Sequence, residues 1–235
     1  MPTVTHYFDY KSPYAYLAQE ATFELAKLPE VTVEFLPYTL QIPKYLGTAE
    51  LDADGRDTVG TRNDHQWRRV RYGYMDCRRE ANRRGLTIRG PRKIFDSSIS
   101  HIAYLFVRKK GDSRAFHDAV FERFWRRELD IEDRKSLAAL ISEIGFDADE
   151  FEEYLAGDGP AALERVIEEA EAARERRVDL HPVEPGAGRG ASARGLGPHE
   201  DREDEGHGDE EEHAGPGSAA GQLVEPDEGP EHHEP

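Results

Sequence analysis

The chain has 235 residues, of which 37% are hydrophobic and 34% charged, and its formal net charge at pH 7 is −17. No apolar run approaches the roughly 18 residues of a membrane span, and the negative charge argues against a general nucleic-acid-binding protein. With one cysteine, Cys77, an intrachain disulfide is excluded; the N-terminus lacks the basic and apolar stretches of a signal peptide, so we expect a soluble cytoplasmic protein.

A strand–helix–strand unit is predicted for residues 1–38. The stretches "TVTHYFDY" (3–10) and "VTVEFLPY" (31–38) have the apolar pattern of strands. Between them, Ser12 can accept a hydrogen bond from the free N–H groups of a first helical turn, and Pro13 suits the first helical position. The helix is predicted to run to about Lys27. This order within so short a segment implies a parallel strand pair and the α/β class.

Helices are predicted for most of residues 39–160, after a loop over 39–62. From about Asn63, apolar residues recur at helical spacing, which favours one long amphipathic helix. Further apolar sets predict helices around 99–106, 116–124 and 137–144, and a last helix over 161–175. The apolar stripe of the long helix consists of Trp67, Val70, Tyr74, Cys77 and Ala81. Because Cys77 lies on this stripe, it is predicted to pack in the core rather than to act as a reactive thiol.

The composition changes at residue 176. Residues 176–235 hold 16 acidic and 5 basic residues and none of the 22 aromatic residues of the chain. Such a segment cannot bury enough apolar surface to offset its chain entropy, so it is predicted to be a disordered acidic tail. Its histidines lack the fixed spacing of a structured metal site, and no metal is expected.

The order of elements and three groups of residues carry a family resemblance. The chain resembles the DsbA-like branch of the thioredoxin superfamily, and within it the 2-hydroxychromene-2-carboxylate isomerases and kappa-class glutathione transferases. The resemblance covers about residues 3–175. It implies a thioredoxin-like βαβ half (1–38), an all-helical insertion (39–160) and a helix that returns to the first half (161–175). The residues that carry it are "FDYKSPYAYLA" (8–18), the set Arg69, Tyr72, Asp76, Arg79, Ala81 and Gly85, and "ELDIED" (128–133).

The segment "SPYA" (12–15) stands where redox members of the superfamily have C-x-x-C. Thiol–disulfide exchange needs an attacking thiolate and a resolving thiol. With Ser12 and Ala15 in these places, dithiol oxidoreductase chemistry is excluded. The resemblance implies instead that Ser12 stabilises the thiolate of glutathione, or of another small thiol, at the positive end of the helix. The resemblance further implies that this thiolate adds to an aromatic or conjugated substrate, either reversibly (cis–trans isomerase) or without return (transferase).

Further binding residues are predicted around Ser12. Tyr14 and Tyr16 are candidates for an aromatic substrate pocket, with ordinary packing as the alternative. Arg69 can hold a glutathione carboxylate bidentately, although a solvated basic face formed with its neighbouring arginines is an equal alternative. Asn63 and Trp67 are further candidates for contact with the thiol ligand. No metal or nucleic acid is expected as a partner, and the resemblance implies a homodimer.

The second half of the thioredoxin fold is not recognisable in the sequence. Pro182 falls where the family has a cis proline that helps to bind glutathione, but no strand pattern follows it. Residues 176–235 are either a natural acidic tail or the product of a frameshift, and the mixture of amino acids favours a frameshift. If the missing half impairs the chain, the alternative function is that of a non-catalytic thioredoxin-like binding or interaction protein.

Overall fold

The computed structural model describes residues 1–180, with side chains described up to residue 175. It begins with the predicted unit, formed by β1 (Thr3–Phe8), α1 (Pro13–Leu25) and β2 (Thr32–Pro37). The two strands are parallel and in register from Thr3 opposite Thr32 to Phe8 opposite Pro37. Within the described part of the chain, they form a two-stranded sheet.

β1 ends at Phe8, two residues before the predicted end, because Asp9 turns the backbone. The Asp9 carboxylate accepts a hydrogen bond from the Lys11 N–H at 3.0 Å, and the Asp9 carbonyl accepts one from the Ser12 N–H at 2.9 Å. Tyr10 therefore leaves the strand, and its side chain is fully buried. This turn places Ser12 directly at the start of α1.

Helices make up most of the remainder of the described chain. Asn63, Asp133 and Asp147 each cap a helix with a side-chain oxygen that accepts backbone N–H groups. The last helix begins before the predicted residue 161 and continues to Leu180, so residues 176–180 are helical rather than part of a tail; the rest of the predicted tail lies outside the described residues. The helices are α2 (Pro43–Leu46), α3 (Asp64–Arg83), α4 (Ser98–Lys110), α5 (Arg114–Trp125), α6 (Arg134–Glu143), α7 (Ala148–Ala156) and α8 (Gly159–Leu180).

The strand unit and the helices share one hydrophobic core. Phe8 of β1 packs edge-on against Tyr104 of α4, with ring centroids 4.9 Å apart, and against His117 of α5 at 4.5 Å. Phe121 and Trp125 of α5 are also fully buried. This packing fixes the start of α1 against the helical part of the molecule. No helix in the described residues combines the length and apolarity needed to cross a membrane.

Candidate active site

Ser12 is the N-cap residue of α1. Its backbone is extended (φ −94°, ψ 113°), and its Oγ accepts a hydrogen bond from the Ala15 N–H at 3.3 Å. Pro13 occupies the first helical position, and the first turn of α1 carries no acidic residue. The partial positive charge of this helix end is therefore not neutralised within its own first turn. A Ser hydroxyl that accepts from the backbone still has its own proton to donate.

A cavity of about 1110 Å³ opens beside Ser12. Its walls come from the start of α1, the segment after β2, α3 and the segment that follows α3. Ser12 is partly buried in this wall. Of the residues predicted for the site, the cavity brings together Ser12, Tyr14, Trp67 and Arg69.

A buried ion pair lies directly before Ser12. The Lys11 Nζ is 2.9 Å from the Asp9 Oδ2 and donates to the Ser97 Oγ at 2.8 Å, while the Ser97 hydroxyl donates to the Asp9 Oδ1 at 2.7 Å. The Leu40 N–H also donates to the Asp9 Oδ2, at 2.7 Å. These contacts tie the turn before α1 to the segment after β2 and to the start of α4. Sequence reasoning did not identify this network.

The charge state of the network follows from burial. Burial lowers the pKa of His101, whose ring lies 3.6 Å from the Asp9 carboxylate, to about 4, so this imidazole is neutral at pH 7. Burial alone would raise the pKa of Asp9, but the charges and hydrogen bonds around its carboxylate outweigh burial and lower that pKa. His101 and Lys11 both lower the pKa of Asp9, and at pH 7, where His101 is neutral, Lys11 is the cation beside the Asp9 carboxylate.

The two tyrosines of the first turn face different surroundings. Tyr14 is half exposed in the cavity wall, and its hydroxyl donates to the Asp76 Oδ2 at 3.1 Å. Burial, followed by this hydrogen bond, raises the pKa of Tyr14. Tyr16 is buried in the core and stacks on Phe121, with ring centroids 5.4 Å apart, and does not line the cavity. The substrate-pocket prediction is therefore corrected for Tyr16, because the core side of α1 includes this position.

α3 and the residue that caps it supply three of the predicted binding residues, in different settings. Trp67 and Arg69 line the cavity. Asn63 does not line it: its side chain accepts from the Gln66 N–H at 2.9 Å, and the Gln66 side chain accepts from the Asn63 N–H at 2.9 Å. The role of Asn63 in the structure is thus a capping box rather than a ligand contact. The remaining predicted contact, Pro182, lies outside the described residues.

The cavity wall is strongly basic although the chain is acidic. Its acidic lining residues are Asp52 and Asp54. Its lining also holds the basic residues Lys11, Arg62, Arg69, Arg71, Arg78, Arg79, Arg92, Lys93 and Arg127. This excess of positive charge favours an anionic ligand. The sequence contains the arginines, but their convergence depends on how α3 packs against the segments on either side of it.

Neither a reactive thiol nor a metal centre is visible in the described residues. Cys77 is fully buried, as predicted, and burial raises the pKa of its thiol. Among the side chains described, which extend to residue 175, no group of three or more His, Cys, Asp and Glu is placed to hold a metal ion. The cavity therefore offers a hydroxyl, a helix end and guanidinium groups as its chemistry.

Comparison with known families identifies the family of the chain. The family described as the DSBA-like thioredoxin domain matches residues 3–179. The chain belongs to this family. The resemblance to DsbA-like proteins and the thioredoxin-like α/β fold class predicted from the sequence are both confirmed.

Within the DsbA-like family, curated relatives are isomerases by name. A 2-hydroxychromene-2-carboxylate isomerase of Pseudomonas putida is 30% identical over 176 residues, which cover 74% of this chain and 80% of the relative. The enzyme of the same name from Sphingobium xenophagum is 28% identical over 67% of this chain and 77% of the relative.

Solved structures agree with the fold. A 2-hydroxychromene-2-carboxylate isomerase structure superposes with a TM-score of 0.52 at 26% identity, over 75% of this chain and 81% of the other. A probable DsbA oxidoreductase from Streptomyces coelicolor gives a TM-score of 0.52 at 22% identity, over 76% of this chain and 75% of the other. This second likeness shows the fold alone.

Proposed function

We propose that this DsbA-like protein is a glutathione-dependent cis–trans isomerase that acts on an aromatic carboxylate, in the manner that the names of its relatives suggest. The observation that carries the proposal is the position of Ser12, a serine at the N-terminus of α1 in the wall of a large, basic cavity. A helix end and a hydroxyl are the groups expected to stabilise a thiolate brought by a cosubstrate.

The proposed reaction is reversible thiol addition. The glutathione thiolate forms a C–S bond to one carbon of a conjugated double bond, and the electron pair of that double bond moves onto the conjugated carbonyl oxygen as an enolate. The former double bond is now single and rotates. When the enolate re-forms the carbonyl, the electron pair returns, the C–S bond breaks, and thiolate and isomerised substrate leave. No atom is gained or lost, so the protein contributes positioning and charge stabilisation.

Individual residues have separate tasks in this proposal. The Ser12 hydroxyl donates to the thiolate sulfur while it accepts from the Ala15 N–H. Arg69, which lines the cavity without an ion-pair partner among the described side chains, binds a glutathione carboxylate. Tyr14, held by Asp76, forms a wall for the substrate ring. The Lys11–Asp9 pair keeps the turn before Ser12 in place.

Disulfide exchange and glutathione transfer are the two activities to be distinguished from the proposed isomerisation. Disulfide exchange of the kind that redox DsbA-like proteins catalyse requires two thiols. In this chain Ser12 and Ala15 occupy the two cysteine positions of the C-x-x-C motif, and the thiol of Cys77 is buried. If the adduct of glutathione and substrate accumulates rather than eliminates, the protein is a transferase. Cytoplasmic localisation and a homodimer remain predictions.

Activity on 2-hydroxychromene-2-carboxylate tests the proposal. In this compound C2 is a hemiketal carbon, so the ring C2–O bond breaks first, the proton of the C2 hydroxyl passes to the phenol oxygen, and the conjugated ketone that the thiolate attacks is formed. We expect the isomerisation of this opened form, followed by absorbance, to require both protein and glutathione. Ser12→Ala should lower kcat by about 10²–10³-fold, the usual loss when one donor to a developing or bound anion is removed. Ser142→Ala, which alters an exposed serine on α6, is the control and should keep full activity. Absence of glutathione binding at millimolar concentration would favour the non-catalytic binding protein instead.

A further inference from the structure

One part of the cavity wall combines two aromatic rings with two guanidinium groups. We name the group formed by Arg62, Trp67, Tyr74 and Arg78 the arginine–aromatic subsite. The Arg62 Cζ lies 5.0 Å from the centre of the Trp67 ring, and the Arg78 Cζ lies 5.6 Å from the centre of the Tyr74 ring. Trp67, Tyr74 and Arg78 are spaced by seven and four residues on α3, so they share one face of that helix.

Both guanidinium groups are anchored by their inner edge. The Arg62 Nε donates to the Leu46 carbonyl at 3.0 Å, and the Arg78 Nε donates to the Ile88 carbonyl at 3.1 Å. Each bond uses one of the five N–H donors of the group. The terminal nitrogens of both groups remain available on side chains that line the cavity. Anchored in this way, they are already oriented for a ligand.

Neither arginine has a carboxylate partner among the side chains that the structure describes. Other basic residues of the same wall do: Arg79 pairs with Asp76 at 2.8 Å, and Lys93 pairs with Glu132. The positive charge of Arg62 and Arg78 is thus left over after the internal pairs are formed. Guanidinium groups in this state are available to pair with a charged ligand.

Burial makes the unpaired charge costly. Arg62 is partly buried, and this burial lowers the pKa of its guanidinium, with weaker opposing effects from Tyr74 and Asp57. The Asp57 carboxylate acts electrostatically on Arg62 without forming an ion pair with it: its Oδ1 accepts from the backbone N–H groups of Glu50 and Val59, at 3.3 Å and 3.1 Å, and its buried Oδ2 has no hydrogen-bond partner among the described residues. A partly buried guanidinium without a direct ion pair is stabilised when a bound anion pairs with it. The fold therefore holds charge that a bound anion would compensate.

We propose that Arg62 and Arg78 bind the carboxylate of an aryl acid, whose ring lies against Trp67 and Tyr74, at a subsite separate from the thiol site at Ser12. The planar forks of the two guanidinium groups match the geometry of a carboxylate. Tyr74, whose pKa burial raises to about 12, stays neutral and adds an apolar ring surface. The description of this ligand as the substrate of the isomerase rests on the proposed function, whereas binding of the aryl acid does not.

Trans-cinnamate and its neutral analogue trans-cinnamamide are suitable probes. Binding is followed by calorimetry and by the fluorescence of Trp67, since the other tryptophan, Trp125, is sealed in the core. We expect cinnamate to bind the full chain at least tenfold more tightly than cinnamamide. Arg62→Gln and Arg78→Gln should each weaken cinnamate binding by roughly tenfold to a hundredfold and leave cinnamamide unchanged, as expected for loss of a charge-assisted hydrogen bond.

A matched control separates the subsite from the general charge of the surface. Arg83→Gln removes one positive charge from the exposed end of α3, outside the cavity wall, and should leave cinnamate binding unchanged. Arg78→Lys keeps the charge without the fork and should lose less affinity than Arg78→Gln. If Arg78→Gln does not fold, as judged by circular dichroism, Arg62→Gln and Arg78→Lys decide the question.

Three results would overturn the assignment. Cinnamate and cinnamamide could bind equally, the Arg62 and Arg78 variants could bind cinnamate as tightly as the unmodified chain, or the two variants could lose glutathione affinity rather than cinnamate affinity. The last result would show that these arginines bind the thiol ligand instead of the aryl acid. If glutathione binds no form of the protein, the proposed function fails, but the cinnamate measurements still decide the subsite.

Discussion

The buried histidines predict a loss of stability in mild acid. Burial lowers the pKa of His101 from 6.5 to about 4, and it lowers the pKa of His117 well below the same starting value. As the pH falls below 6.5, the unfolded chain takes up protons that the folded chain refuses. The stability contributed by the neutral rings is therefore present above pH 6.5 and is lost as the pH falls toward 4. For His101 the loss between pH 7 and pH 5 is ~2 kcal/mol, at 1.36 kcal/mol per pH unit.

Urea unfolding at pH 7 and pH 5 measures this loss. His101→Gln removes the titrating group and keeps a side chain able to reach the Thr39 hydroxyl, which lies 2.9 Å from the His101 Nδ1. The pH-dependent drop in unfolding free energy should shrink by ~2 kcal/mol in this variant. His65→Gln, at an exposed position, is the matched control and should keep the full drop. An equal drop in His101→Gln and the unmodified chain would refute the assignment of acid sensitivity to His101.

Three further substitutions follow from the turn and first helix. Lys11→Met leaves Asp9 buried without its cation and should lower the unfolding free energy by about 3–5 kcal/mol, measured in urea. Adding Asp9→Asn to this variant should recover part of that loss. If the losses of unfolding free energy from the two substitutions simply add in the double variant, the pairing is contradicted. Tyr14→Phe removes the bond to Asp76 and should cost under about 1 kcal/mol in stability while raising KM for the substrate. Tyr16→Ala should lower the unfolding free energy, measured by heat or urea, by about 3–5 kcal/mol and leave the glutathione Kd unchanged, since this ring packs in the core. A raised glutathione Kd in the folded variant would show that Tyr16 belongs to the binding site after all.

Local signals in the sequence were enough to predict the βαβ unit and the position of Ser12 at the start of its helix. Strand alternation, the Ser12–Pro13 pair and the short connections depend on neighbouring residues, and the structure reproduces them within a few residues. The end of β1 was missed because a single side chain, that of Asp9, decides it through bonds to Lys11 and Leu40. Leu40 is 31 residues from Asp9, and a bond to so distant a backbone group has no periodic signature in the sequence.

The walls of the site were only partly predictable. Trp67 lies on the apolar stripe of α3 and Arg69 is one of the residues that carry the family resemblance, and both line the cavity. Arg62 and Arg78 were not predicted as binding residues. The guanidinium groups of these two arginines are oriented by hydrogen bonds to the backbone carbonyls of Leu46 and Ile88. These carbonyls come close to the arginines only when the chain is folded. Asn63 was misjudged for the opposite reason: its local capping bond with Gln66 is sufficient to explain its presence.

The ionisation of protein-bound glutathione tests the central claim most directly. Titration of the bound thiol by its thiolate absorbance in the ultraviolet gives its pKa in the unmodified chain and in Ser12→Ala. If the Ser12 hydroxyl donates to the sulfur, the pKa of the bound thiol lies below that of free glutathione and rises by about 1–2 units in Ser12→Ala, which is the equivalent of one charge-assisted hydrogen bond. A bound thiol with the same pKa in both proteins would contradict the account.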